Sequence, residues 1–201
     1  VTGTDNTALG SGALDKNTAS QNTAVGRQAL RFNTSGTPND AFGYQALYAN
    51  TTGAGNTAIG YGSLIANTIG SNNVAVGAGA LATNTVADGN TAVGRLALNK
   101  NTTGSPNDAF GFEALFNNTT GAYNVAIGYK SLFNNTIGSG NAALGYNALN
   151  NNTTGIDNTA VGREALVSNT IGIENTAVGT YSLYLNTTGS YNTAVGRSEI
   201  G

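Results

Sequence analysis

The sequence predicts an all-β protein, a parallel β-solenoid of about twelve coils with 17 residues in each coil. A short motif recurs from Asn6 to Asn192: Asn-Thr-Ala in most copies, then Val, Ile, Leu or Phe, then Gly. Four residue types, Asn, Thr, Ala and Gly, supply 116 of the 201 residues. A unit of this length is too short to enclose a core alone, so successive units must stack on one another.

The spacing of the motif indicates one repeat domain over residues 1–201. The coils begin at Asn6, Asn22 and Asn39 and then every 17 residues to Asn192, which leaves no room for a linker. Coils stacked about 4.8 Å apart would make a rod roughly 58 Å long. Neither end carries the polar, atypical unit that caps a free-standing solenoid, so we expect a fragment of a longer fibre or one subunit of an oligomer.

Each position of the coil, counted from its first Asn, has a predicted role. The motif itself alternates small and branched side chains and predicts a short parallel strand. Ala at the third position and Leu at the ninth are expected to fill a narrow interior, and Gly at the fifth and fifteenth positions to supply unusual backbone angles. Asn at the first and twelfth positions is expected at corners, bonded to turn backbone and to the next Asn in a ladder. The first-position ladder consists of Asn22, Asn39, Asn56, Asn73, Asn90, Asn107, Asn124, Asn141, Asn158 and Asn175.

The second half of each coil is harder to assign. Segments such as residues 44–49 and 163–167 fit a second strand, and their apolar spacings of three and four also fit a single helical turn. We favour the second strand and keep the helical turn as the alternative.

Composition excludes most chemistry. The chain has no His, Cys, Met or Trp, and only 9% of its residues are charged, with a net charge of -2. Imidazole bases, thiol nucleophiles and soft metal ligands are therefore missing, and no basic face exists for nucleic acid. No apolar run approaches the roughly 18–20 residues that span a bilayer. We expect no enzyme, no catalytic or metal site, no cofactor and no direct membrane insertion.

Aromatic residues recur at two positions of the coil and are the main candidate contact residues. Such a stripe fits lateral packing between rods, which we favour, or contact with sugars or a receptor. Arg27, Arg95, Arg163 and Arg197 share the sixth position and are interpreted as polar interruptions of this seam. The aromatic residues are Tyr44, Tyr61, Phe112, Tyr129 and Tyr146 at the sixth position, and Tyr48, Phe116, Phe133 and Tyr184 at the tenth.

Three further features have a structural and a functional interpretation. Thr at the second and thirteenth positions suggests an ice-binding face, although the second position is interrupted. Asp40 and Asp108 each lie two residues after a Pro, in equivalent corners, and are assigned to Asx-type turns in preference to a bound cation. Asn-Thr-Thr glycosylation sequons are assigned to the repeat itself; they lie at Asn50, Asn101, Asn118, Asn152 and Asn186.

The motif residues also resemble a known family. Residues 73–77, Asn-Val-Ala-Val-Gly, resemble the motif of the YadA-like head of trimeric autotransporter adhesins, and residues 118–129 are similar to repeats of bacteriophage and giant-virus tail-fibre proteins. The resemblance implies a β-solenoid, commonly a homotrimer, displayed outside the cell on a cell or virion surface and used for attachment. We therefore predict a fibre or adhesin shaft that self-associates laterally or end to end and contacts a surface receptor or glycan. The alternative is an ice-binding or carbohydrate-binding module.

Overall fold

The computed structural model describes residues 3–198, and in them the chain forms the predicted parallel β-solenoid. Twelve short strands, one in each coil, make a single sheet in which each strand pairs with its neighbours in sequence. Eleven windings of the chain lie between the first strand and the last. The strands are β1 (Thr7–Leu9), β2 (Asn22–Val25), β3 (Asn39–Phe42), β4 (Asn56–Ile59), β5 (Val74–Val76), β6 (Thr91–Val93), β7 (Asn107–Phe110), β8 (Asn124–Ile127), β9 (Ala142–Leu144), β10 (Thr159–Val161), β11 (Thr176–Val178) and β12 (Thr193–Val195).

The register of the sheet follows the repeat. Ala24 pairs with Ala41 and Ala41 with Ala58, so equivalent positions of successive coils lie side by side. Within a strand the first and third positions face inwards and the second and fourth face outwards, which is the period of two that a pleated strand requires. Each strand ends at the fourth position, and the glycine that follows it has a positive φ, which is 131° at Gly60. A Cβ there would lie 2.7 Å from the backbone of Gly77 in the next coil, so the position also requires glycine for space.

The core is a narrow column of small and branched side chains. Ala at the third position, Ala or Ser at the eighth and Leu at the ninth are buried over the central coils, as in Ala109, Ala114 and Leu115. Burying a leucine side chain stabilises a fold by about 1.5–3 kcal/mol. The predicted interior residues are confirmed, with the eighth position added to them.

The second half of each coil is neither a strand nor a helical turn, and both expectations for it were wrong. Among residues 3–198 there is no helix, and the segment is a series of turns. Left-handed residues interrupt it at the seventh and ninth positions, for instance Glu113 at φ 53° and Leu115 at φ 54°, and neither regular structure admits them.

The turns are still tied to the neighbouring coils by backbone hydrogen bonds. The N–H of Leu64 donates to the carbonyl of Ala80 in the next coil (3.0 Å), and the N–H of Gly62 donates to that of Tyr44 in the previous coil (2.9 Å). A left-handed leucine costs roughly 1–2 kcal/mol. Complete burial of the ninth-position Leu offsets that cost.

Candidate functional site

Two ladders of buried asparagine run along the inside of the rod. In the first-position ladder, Asn56 Nδ2 donates to Asn39 Oδ1 (3.1 Å), and Asn39 Oδ1 also accepts the backbone N–H of Asn56 (3.0 Å). In the twelfth-position ladder, Asn67 Nδ2 donates to Asn50 Oδ1 (2.9 Å). All ten members of the predicted ladder, from Asn22 to Asn175, are buried. These asparagines therefore serve the interior of the rod and not its surface.

The two ladders meet at the carbonyl of the fifteenth position. Gly70 O accepts Nδ2 of both Asn56 and Asn67, each at 2.9 Å. A Cβ on Gly70 would lie 2.5 Å from Asn67 Oδ1 and 2.5 Å from Ala87 O. The expectation that this glycine supplies an unusual backbone angle was wrong, because its φ lies outside the left-handed region and the need is for space.

The ladder changes partners in two coils. Asn22 Nδ2 donates to Ser20 O (3.0 Å), and Asn90 Nδ2 donates to Asp88 O (3.4 Å). In both cases the acceptor is the carbonyl two residues before the Asn. The coils that begin at Asn22 and Asn90 end in Pro38 and Pro106, at the seventeenth position. The ladder continues through both coils, because Asn39 Nδ2 and Asn107 Nδ2 still reach the preceding Asn at 3.3 Å.

The asparagines of the glycosylation sequons belong to the twelfth-position ladder. Asn50, Asn101, Asn118 and Asn152 are buried, and Nδ2 of Asn118 is shared between Asn101 Oδ1 and Gly121 O, both at 2.9 Å. Asp40 and Asp108 lie in β3 and β7 at the outward second position, so the Asx-turn interpretation was wrong.

The predicted aromatic stripe is divided into short stacks. At the sixth position, Tyr44 stacks on Tyr61, with ring centres 5.2 Å apart, and Phe112, Tyr129 and Tyr146 stack in series at 5.3 Å. The structure does not bring these two groups together, because Ala78 and Arg95 occupy the sixth position between them. At the tenth position Phe116 stacks on Phe133, whereas Tyr48 and Tyr184 meet Phe32 and Tyr181 edge to face.

Arginines cover the ends of the sixth-position stacks. The guanidinium carbon of Arg95 lies 5.6 Å from the centre of the Phe112 ring, and that of Arg163 lies 5.9 Å from Tyr146. Arg27 covers Tyr44 in the same way at 5.8 Å. Cations over ring faces are attracted by the ring quadrupole. Most faces of these rings are thus used within the rod; Tyr61, which is 66% exposed and is followed by Ala78 at the sixth position, keeps one face for a partner.

A continuous apolar line occupies the outer face of the sheet, and we call it the strand-face rank. Phe42, Ile59, Phe110 and Ile127 are each about 40% exposed, and Leu144 is 47% exposed. Asp40 and Asp108 are the charged residues within the twelve strands. The rank consists of Leu9, Val25, Phe42, Ile59, Val76, Val93, Phe110, Ile127, Leu144, Val161, Val178 and Val195.

A shallow polar trough of about 640 Å³ runs along another side of the rod. One wall carries Asn117, Asn134 and Asn151 from the eleventh position, and the other carries thirteenth-position Thr side chains such as Thr136. Lys100 stands at one end, with Nζ 3.0 Å from Asn117 Oδ1. The asparagines form a third ladder, with Nδ2 to Oδ1 distances of 3.2 Å from Asn117 to Asn134 and from Asn134 to Asn151.

Titratable groups are scattered over the described surface. Residues 3–198 contain no group of three or more Asp, Glu, His or Cys side chains able to hold a metal ion, and no helix long and apolar enough to cross a bilayer. One ion pair joins Lys130 Nζ to Glu113 Oε2 at 3.3 Å. The hydrogen bond to Glu113 raises the pKa of Lys130 above its ordinary value, and desolvation by burial opposes that rise.

No protein-family model, no curated protein and no solved structure matches the chain. The β-solenoid therefore rests on the structure alone, and the resemblance to adhesin heads and tail-fibre repeats stays a prediction.

Sequence reasoning did not single out two of these surfaces. The strand-face rank follows from the fourth position of every coil, and the alternation of the motif was enough to place it outside. The trough has a weaker signal, because Asn occupies the eleventh position in three successive coils only. Phe32 and Tyr181 extend the aromatic clusters from positions outside the predicted stripe.

Proposed function

We propose that this protein is a non-enzymatic structural and attachment protein, a shaft segment displayed outside the cell on a cell or virion surface, whose rods associate side by side. The observation that carries the proposal is the strand-face rank, an apolar line present in every described strand. Contiguous exposed apolar surface of this kind usually marks an interaction site.

The area of the strand-face rank supports a stable contact. An aromatic side chain presents about 150–250 Å² in all, so 40% exposure of Phe42 leaves on the order of 60–100 Å². Repeated over the coils and flanked by second-position side chains, the rank offers on the order of 800 Å² per rod. That is the area each partner contributes to a standard protein–protein interface.

The partner that fits best is a second copy of the chain. Side chains of the rank are uncharged and repeat at the spacing of the strands, about 4.8 Å, and another copy meets them with the same spacing. Asp40 and Asp108 lie beside the rank at the second position. Association by like faces is also the common route to symmetric oligomers. The resemblance to trimeric adhesin heads and tail-fibre repeats agrees with this proposal and suggests three copies and attachment to a receptor.

A paired substitution tests the proposal. The variant Ile59→Lys with Ile127→Lys places two charges on the strand-face rank, one block of four coils apart, and should convert the oligomer to a monomer by light scattering. Ile69→Lys with Ile137→Lys is the matched control, because these isoleucines are more exposed, lie outside the sheet and have the same separation. A wild-type chain that is monomeric at every concentration would remove the proposal.

Ice binding has less support than shaft formation. Thr at the thirteenth position recurs in eleven coils without interruption, from Thr18 to Thr187. Most of these hydroxyls donate to a backbone carbonyl of the next coil, as Thr119 Oγ1 does to Thr136 O at 3.0 Å. A hydroxyl held in this way is less able to organise water, so we do not propose an ice-binding face.

A further inference from the structure

We propose that the polar trough binds an extended, neutral oligosaccharide. The trough is a local departure from the repeat: Asn occupies the eleventh position at Asn117, Asn134 and Asn151, whereas the equivalent residues are Ala49 and Ala66 earlier in the chain. Leu185 follows at the same position beyond the trough. Since this position holds the half-exposed Ala49 and Ala66 and the 78% exposed Leu185 in the same fold, the rod does not require carboxamides there.

The trough asparagines keep hydrogen-bonding capacity that the rod does not use. Asn134 donates one N–H to Asn151 Oδ1 and accepts one from Asn117 Nδ2. A carboxamide has two N–H donors and two acceptor lone pairs, so one donor and one acceptor remain on Asn134. On the facing wall Thr136 Oγ1 donates to Thr153 O (3.0 Å) and is left with acceptor capacity. Such a mixture of donors and acceptors suits hydroxyl groups, which both donate and accept.

Charge argues against ionic ligands. Lys100 is the one charged residue among those that line the trough. A polyanion such as nucleic acid needs several cationic contacts, and a metal ion needs anionic ligands. The ligand should therefore be neutral over most of its length.

Geometry argues against an extended peptide. A peptide strand advances about 3.3–3.4 Å per residue, which falls out of step with coils about 4.8 Å apart. The backbone also offers no free edge, because the N–H of Asn134 donates to Asn150 O (2.9 Å) and that of Thr136 to Thr153 O (2.9 Å). A chain of pyranose rings advances by about one coil per sugar, so successive sugars meet equivalent side chains. This inference rests on the attachment role proposed above and names the chemical class of its ligand.

Calorimetric titration of the full chain with cellohexaose, chitohexaose and xylohexaose tests the trough. At least one of these neutral, extended sugars should bind with a dissociation constant below about 1 mM. Asn134→Leu should weaken that binding at least tenfold, because it removes both the donor and the acceptor in the middle of the trough. Ala66→Leu makes the same side chain at the same position of a coil outside the trough and should leave binding unchanged. Absence of binding by all three sugars, or equal effects of the two variants, would overturn the proposal.

A second measurement needs no variant and covers the case in which Asn134→Leu does not fold. Side-chain amide NMR signals of Asn117, Asn134 and Asn151 should shift when sugar is added, whereas that of the buried Asn135 should not. Shifts confined to the aromatic stacks would overturn the assignment to the trough. Sedimentation of the same samples separates the two proposals: sugar binding by a monomer would refute the shaft and keep the trough, and an oligomer that binds no sugar would do the reverse.

Discussion

Replacing Asn124 with alanine should strongly destabilise the rod although the side chain touches no solvent-exposed partner. Asn124 Nδ2 donates to Asn107 Oδ1 (3.1 Å) and Gly138 O (2.9 Å), and its Oδ1 accepts the backbone N–H of Asn141 (3.0 Å) and Asn141 Nδ2 (3.1 Å). The carbonyl of Gly138 keeps a hydrogen-bond partner after the substitution, because it still accepts from Asn135 Nδ2 at 2.8 Å.

The backbone N–H of Asn141 has no other acceptor and would be orphaned in the interior. An orphaned buried donor costs about 1–3 kcal/mol, and each further lost hydrogen bond costs about 0.5–1.5 kcal/mol. We therefore expect a loss of about 3–5 kcal/mol in the free energy of unfolding, measured by urea titration. Hydrogen exchange at the Asn141 amide should accelerate at the same time, because its acceptor is gone.

Asn134→Ala is the matched control for this experiment. Asn134 lies in the same coil and also belongs to an asparagine ladder, but it is half-exposed, so water replaces its lost partners. Asn134→Ala should lower the free energy of unfolding by less than about 1 kcal/mol. Equal losses for the two variants, or an Asn141 amide that stays protected in Asn124→Ala, would refute the role assigned to the buried ladder.

Two further predictions concern backbone space and charge. Gly60→Ala should lower the free energy of unfolding by at least about 3 kcal/mol, because φ 131° disfavours a side chain and the new Cβ would lie 2.7 Å from the backbone of Gly77. Gly62→Gln is the control and should lower it by no more than about 1 kcal/mol, since only Ile65 Cδ1 comes within 4 Å of the new Cβ. A similar loss of stability in both glycine variants would contradict this. In an NMR pH titration Lys130 should lose its proton at higher pH in the wild type than in Glu113→Gln, because Glu113 raises its pKa. The ion pair's contribution to the free energy of unfolding is complete below the pKa of Lys130 in the unfolded chain, and it is lost as pH rises through the pKa of Lys130 in the folded chain. A titration curve that Glu113→Gln leaves unchanged would refute the pairing.

The sequence was sufficient for the regular part of the fold. A period of 17 residues, an alternating motif and a glycine after it place each strand, its register and its inward Ala. The asparagine at the first position could be assigned to a ladder because identical residues stacked at one coil spacing can bond to one another.

The turn segments could not be predicted in the same way. Leu115 adopts a left-handed backbone that leucine disfavours, and only the surrounding core stabilises it, so its local preference is misleading. Gly70 was assigned to the correct position for the wrong reason, because the approach of Ala87 O from the next coil is invisible in the sequence. The trough was missed because the direction of the Asn134 side chain depends on the turn that carries it.

Oxidative cross-linking of single-cysteine variants tests the central claim, side-by-side association through the strand-face rank, most directly. The chain has no cysteine, so each variant reports one position. Val93→Cys lies on the rank in β6, near the middle of the rod, where the side chain is half-buried, and Val86→Cys lies outside the sheet at a side chain that is 43% exposed. We predict a disulfide-linked dimer for Val93→Cys and none for Val86→Cys; cross-linking of Val86→Cys alone, or of neither variant, would contradict the proposed interface.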